Sequence, residues 1–78
     1  MARVDVYGKQ SCTQCVMLTR WLDSRNISFD YHDVGKYPEE IEKLRRETAN
    51  TSLPQYCYEG EWHYGFDLAK LQRLFNRE

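Results

Sequence analysis

Seventy-eight residues with 11 Lys and Arg against 12 Asp and Glu make a small chain of formal charge −1. That length fits one domain over residues 1–78, burying ~60–65% of its unfolded surface. The charge balance excludes the basic field on which nucleic-acid binding rests.

Three cysteines are too few for the disulfide framework of a secreted mini-domain. No stretch approaches the ~20 apolar residues of a membrane span. Asp5 and Lys9 interrupt any apolar run after Met1-Ala2-Arg3, so no signal peptide is expected and the compartment is read as a reducing cytoplasm.

Residues 3–7 alternate about Val4 and Val6 and predict a short strand, followed by a loop from Gly8 to Ser11. From Thr13 to about Arg25, apolar positions at Cys15, Leu18 and Leu22, broadened by Val16 and Trp21, recur at helical spacing. Asn26 marks the stop. Residues 27–34 alternate again, with Ile27, Phe29 and Tyr31 against Ser28, Asp30 and His32, and predict a second strand. Pro38 suits the first turn of a second helix, with Ile41, Leu44 and Thr48 facing inward. Glu39 and Glu40 early and Arg45 and Arg46 late complement its dipole. Glu39 precedes Lys43 by four, as Glu42 precedes Arg46, an order worth ~0.2–0.5 kcal/mol per ion pair. The basic cluster therefore reads as a solvated helix face. After a loop from Asn50 to Leu53, Gln55 to Glu59 predict a third strand. Gly60 turns the chain and Glu61 to His63 pair back as a fourth. Asp67 caps a last helix with Leu68, Leu71, Leu74 and Phe75 on one face.

The order β-α-β-α-β-β-α implies a parallel pair with a right-handed crossover and a later antiparallel hairpin. The fold class is α/β, a mixed four-stranded sheet with helices on both faces. The junction around Cys12 falls at the C-terminal end of a strand, where such sheets commonly place their chemistry.

Cys12-Thr13-Gln14-Cys15 opens the first helix. The three-residue spacing puts both sulfurs on one side of the first turn, close enough to bridge. Cys12 would sit at the exposed tip and Cys15 one turn deeper. An ordinary thiol, with pKa ~8.5, is mostly protonated at neutral pH. A helix dipole contributes ~0.3–1 kcal/mol, up to ~2, or about one pKa unit. A larger shift needs amide donors from the helix start and a nearby cation, for which Lys9 is the candidate. A Cys12 thiolate would attack a disulfide, and Cys15 would resolve the mixed disulfide. Zinc is the competing chemistry. It wants four ligands, usually in two pairs, whereas Cys57, His32 and His63 are scattered.

Lys9-Gln10-Ser11-Cys12-Thr13-Gln14-Cys15 resembles the glutaredoxin active-site segment, with its Lys three before the first Cys. Ser52-Leu53-Pro54-Gln55 is similar to that family's Thr-Val-Pro position, and Gly65-Phe66-Asp67 to its Gly-Gly-x-Asp turn. The three blocks fit across essentially the whole chain, in the style of short bacteriophage glutaredoxins and NrdH-type redoxins. The resemblance implies a thioredoxin fold, with Cys12 as nucleophile, Cys15 as resolving thiol and Pro54 as a cis-proline. It implies glutathione as co-substrate, held by Lys9, Gln14, Leu53, Pro54, Phe66 and Asp67, with no tightly bound cofactor and no metal. It also implies disulfide-containing clients such as ribonucleotide reductase, and a monomer. Some members bind a [2Fe–2S] cluster between two protomers through the first cysteine and glutathione; nothing in this sequence requires one. The alternative for recycling is thioredoxin reductase, as in NrdH-type redoxins. The chain departs from the pattern in the Thr-Gln dipeptide between the cysteines, in Ser52 for Thr, and in Tyr64 for the first glycine of the pair.

Cys57 shares a strand face with Gln55 and is expected to be a buried, inert thiol, with a regulatory disulfide or glutathionylation as the other reading. His32 and His63 have no evident partner and read as surface or sheet-packing residues. Trp62 and Tyr64 are either core or an apolar lip for a partner peptide.

Overall fold

The computed structural model describes residues 3–75, so Met1 and Ala2, weighed above in the reading against a signal peptide, lie outside it. In chain order the elements are β1 (Val4–Gly8), α1 (Thr13–Ser24), β2 (Phe29–Asp33), α2 (Glu39–Thr48), β3 (Gln55–Tyr58), β4 (Glu61–Tyr64) and α3 (Leu68–Phe75). The strands lie in the order β2-β1-β3-β4. β1 runs parallel to β2 and antiparallel to β3, and β3 is antiparallel to β4. This is the mixed four-stranded sheet that the element order implied and the thioredoxin-like fold that the resemblance implied.

Strand alternation divides the core in two. Val4 and Val6 of β1 and Tyr56 of β3 meet Leu18 and Leu22 of α1 and Leu71 of α3 on one face. On the other, Tyr7 and Val34 pack with Leu44 of α2, joined by Ile41, Leu53 and Trp62. Fully burying an aliphatic side chain of this size is worth ~1.5–3 kcal/mol, so these two clusters hold the layers together.

Differences from the sequence reading have local causes. Gly8 belongs to β1 rather than the loop: it pairs with Asp33, and its carbonyl accepts from Val34 N–H at 2.9 Å. The second strand begins only at Phe29, because the chain first closes α1. Asn26 adopts φ 59°, its N–H donates to Asp23 O, and Ile27 N–H donates to Leu22 O, both at 3.0 Å. Those paired bonds are the Schellman closure, in which Asn tolerates the left-handed position. The third strand stops at Tyr58 because Glu59 (φ 52°) and Gly60 (φ 83°) form the two-residue turn, which is left-handed at both positions and suits the sheet's twist.

On α2 the ion pairing differs from the spacing argument. Glu42 pairs with Arg45. Lys43 folds back to the Tyr7 hydroxyl, its Nζ 5.7 Å from the ring centroid. The histidines also have partners. His32 Nε2 lies 3.2 Å from Asp5 Oδ1 and its Nδ1 3.6 Å from Glu40 Oε2, with the ring stacked on Tyr7 at 4.4 Å. His63 is buried against Tyr56, ring centroids 5.2 Å apart. Trp62 packs 5.5 Å from Tyr7, whereas Tyr64 is exposed, so one of these aromatics is core and the other rim.

Candidate active site

Register alone assembles one end of the sheet. Gly8 stands beside Asp33, Tyr7 beside Gln55, and Gln55 beside Tyr64. The chain leaving β1, the chain entering β3 at Pro54 and the chain leaving β4 at Gly65 therefore emerge together.

Cys12 is the N-cap of α1, in an extended conformation (φ −93°, ψ 107°). Its N–H donates to Lys9 O at 3.2 Å, which closes the turn before the helix. Its Sγ accepts from Cys15 N–H at 3.1 Å. The sulfur thus takes the place of the hydroxyl or carboxylate oxygen that usually satisfies a free amide at a helix start. Cys12 and Cys15 are joined as a disulfide with their Cα atoms 5.2 Å apart. Cys12 is half-exposed and Cys15 fully buried. On reduction, a thiolate at Cys12 meets an amide donor already in place and the positive end of the helix. Hydrogen bonds to an ionised acceptor are roughly twice as strong as neutral ones.

Two residues here were not singled out in the sequence. A Cβ on Gly8 would lie 2.8 Å from Cys15 Sγ, 2.9 Å from Cys15 Cβ and 2.9 Å from the Tyr31 hydroxyl. Gly8 is therefore the floor on which the buried sulfur rests, and a larger residue has no room there. A glycine at a strand end immediately before the Lys9 loop is the available signal, since glycine in a strand often marks close approach. Tyr31, on the edge strand, reads in sequence as an ordinary alternating residue.

The other residues carried over from the resemblance fall around the same end. Lys9 is exposed and lines a cleft with Gln10, Ser11, Asp33, Gly35 and Lys36. Asp33 Oδ1 shapes that cleft by accepting from Gly35 and Lys36 N–H, each at 3.0 Å. Gln14 is exposed on the first turn of α1. The Leu53–Pro54 peptide is cis. Pro54 is buried, and its carbonyl accepts from Gly65 N–H at 2.8 Å, tying the two loops together. Phe66 packs half-buried against the core, and Asp67 is exposed, its Oδ1 accepting from Lys70 N–H at 3.3 Å as the cap of α3. Burial, and secondarily the Asp67 carboxylate, pushes the Tyr56 phenol up to about 12.

Cys57 is half-buried rather than buried and stands opposite Asp5 across the β1–β3 ladder. Burial and then the Asp5 charge raise its pKa, which keeps it a protonated, weak nucleophile. Among the described residues, no group of three or more His, Cys, Asp or Glu is placed to hold a metal ion.

The family model described as Glutaredoxin matches residues 4–63. Over 41 residues the chain is 42% identical to the glutaredoxin-like protein NrdH of Lactococcus lactis, a match covering 53% of this chain and 57% of that relative. The chain thus spans little more than half the length of the curated relatives it matches. Among solved structures, a mutant of the thioredoxin-like protein BC3987 is 31% identical, with 96% of each chain covered and a TM-score of 0.86. The glutaredoxin-like NrdH-redoxin of Escherichia coli, described as having a thioredoxin-like activity profile, is 26% identical over 97% of this chain and 99% of its own, with a TM-score of 0.82. The glutaredoxin of Archaeoglobus fulgidus, at 23% identity and a TM-score of 0.85 over 99% of this chain and 89% of its own, shares the fold.

Proposed function

The chain belongs to the glutaredoxin family, and from that premise we propose that it is a dithiol–disulfide oxidoreductase that passes two electrons from Cys12 and Cys15 to a protein disulfide. The observation that carries this reading is the Cys15 amide aimed at the half-exposed Cys12 sulfur at the start of α1. The Cys12 thiolate attacks one sulfur of the client disulfide and expels the other as a thiolate. Cys15, held one turn deeper, then attacks Cys12 Sγ. The Cys12–Cys15 bond forms, the mixed disulfide breaks, and the client leaves with both thiols reduced.

For recycling we favour thioredoxin reductase, in the manner of an NrdH-type redoxin. Tyr64 is exposed where the family pattern has a glycine, and a side chain at that position would crowd a glutathione groove. The NrdH likenesses point the same way. Glutathione is the second reading, favoured by Lys9 and Asp67 lying at the same sheet end. Lys9 would take the glycine carboxylate of glutathione, the Leu53 backbone beside Pro54 its peptide, and Phe66 N–H and Asp67 its γ-glutamyl end, with Gln14 at the rim. Ribonucleotide reductase is the client suggested by the resemblance, and the working form is a monomer in the cytoplasm.

The test supplies NADPH and a disulfide substrate with thioredoxin reductase in one cuvette, and with glutathione and glutathione reductase in the other. Turnover with the first alone supports the NrdH-type reading, turnover with the second alone establishes a working glutathione groove, and turnover with neither overturns the oxidoreductase assignment. Cys12→Ser is expected to abolish turnover. Cys15→Ser is expected to lose dithiol reduction while accumulating a mixed disulfide, detected as added mass on the intact protein.

A further inference from the structure

We propose that Tyr31 is a positioning residue for the resolving thiol, its hydroxyl donating a hydrogen bond to the Cys15 sulfur whenever the Cys12–Cys15 bond is open. The proposal rests on the oxidoreductase reading for its purpose and on independent geometry for its existence.

That geometry converges over Gly8. The Tyr31 hydroxyl and Cys15 Sγ lie 2.9 and 2.8 Å from the single point that a Cβ on Gly8 would occupy. A side chain at residue 8 would clash with both; glycine leaves the hydroxyl and the sulfur free to approach the same space. Tyr31 stands opposite Val6 in the β1–β2 ladder. Tyr31 is 40% exposed and walls a groove with Phe29, Val16 and Thr19, while its hydroxyl lies over Gly8, as Cys15 Sγ does. The charged groups around it are acidic: Asp33 at the end of its own strand and Asp23 across the groove on α1. Burial and the Asp33 charge push the phenol up from its ordinary value, so the proton stays on oxygen and the group can donate.

The need arises in the chemistry. When a donor thiolate, from a dithiol protein or a small thiol, attacks Cys12 Sγ, a new S–S bond forms and the Cys12–Cys15 bond breaks. The electron pair departs on Cys15 as a thiolate. That sulfur is fully buried, and an unsolvated anion is costly unless it is hydrogen-bonded. In the reverse step, Cys15 gives its proton to the client thiolate already expelled when the mixed disulfide formed and then attacks Cys12 Sγ. The Cys12–Cys15 bond forms, the mixed disulfide breaks with the second client sulfur leaving as a thiolate, and the same donor favours the ionised form of Cys15.

Tyr31→Phe removes the hydroxyl and keeps the ring. In a Cys12→Ser/Cys57→Ser background, where Cys15 is the sole thiol, its ionisation is followed by absorbance near ~240 nm. Adding Tyr31→Phe is expected to raise the Cys15 pKa by about one unit, the effect of losing one hydrogen bond to a charged group. In the otherwise native protein, the same change should slow reduction of the disulfide by dithiothreitol several-fold with the far-UV spectrum unchanged. A Cys15 titration and a reduction rate both unaffected by Tyr31→Phe overturn the proposal. The titration needs no client or reductase. Absent turnover with a pKa shift present would therefore sink the oxidoreductase reading and leave the Tyr31–Cys15 contact standing.

Discussion

A methyl group on Gly8 would approach Cys15 Sγ and Cβ to within 3 Å, a contact that only a shift of α1 or β1 can relieve. Gly8→Ala is therefore expected to lower stability by about 1–3 kcal/mol, the usual cost of overpacking, read as a lower urea midpoint with an unchanged slope. His63 gives a pH dependence of definite sign. Burial holds its imidazole below its usual value of 6.5. The unfolded chain therefore takes up the proton first. The stability from the neutral ring is complete above ~6.5 and is lost as pH falls through the lower, folded value. Urea midpoints measured from pH ~7.5 to ~5 should fall more for the wild type than for His63→Phe. An equal fall in the two proteins would assign the acid sensitivity elsewhere. At this scale the sequence reveals cysteines by type and spacing. It does not reveal that His63 is buried, because burial there depends on Tyr56 arriving opposite it from another strand.

At the scale of elements, α2 ends on Ala49 in a left-handed conformation, φ 57°. Alanine has no advantage at that position, whereas glycine reaches it without a Cβ penalty. Ala49→Gly should stabilise the protein by about 0.5–1 kcal/mol in a denaturant titration, net of glycine's greater unfolded freedom. Asp67→Ala removes the cap that receives Lys70 N–H and should cost about 0.5–2 kcal/mol by the same measurement. The helices and strands were legible because their apolar residues keep strict periods of 3.6 or 2, as Leu18 and Leu22 or Val4 and Val6 do. Asn26 was legible as a stop because its side chain tolerates the left-handed turn. Ala49 was not, since alanine carries no mark of that conformation. The Lys43 contact was also hidden, because its partner Tyr7 lies on a strand and not one turn away on the helix.

The layout of the whole molecule followed from the order of elements, since short connections and a right-handed crossover leave few alternatives. The gathering of Gly8, Asp33, Pro54 and Gly65 at one sheet end did not, because it depends on strand register. Register also divides the molecule unevenly. β1 and β2 are bridged by α1, and β3 and β4 by a two-residue turn, whereas β1 meets β3 only across most of the chain's length. The loop-closure entropy of that long connection is recovered only when the ladder from Val4–Tyr58 to Tyr7–Gln55 is complete. The central ladder should therefore open last and only with the whole fold, so its amides should be the slowest to exchange with deuterated solvent, while those of β4 and α3 exchange through smaller openings. Fluctuations of that second kind would carry Asp67 and the Gly65 turn away from a disulfide that stays closed. The disulfide side and the Gly65–Asp67 side of this sheet end would then loosen on different timescales, without any bond between β1 and β3 breaking.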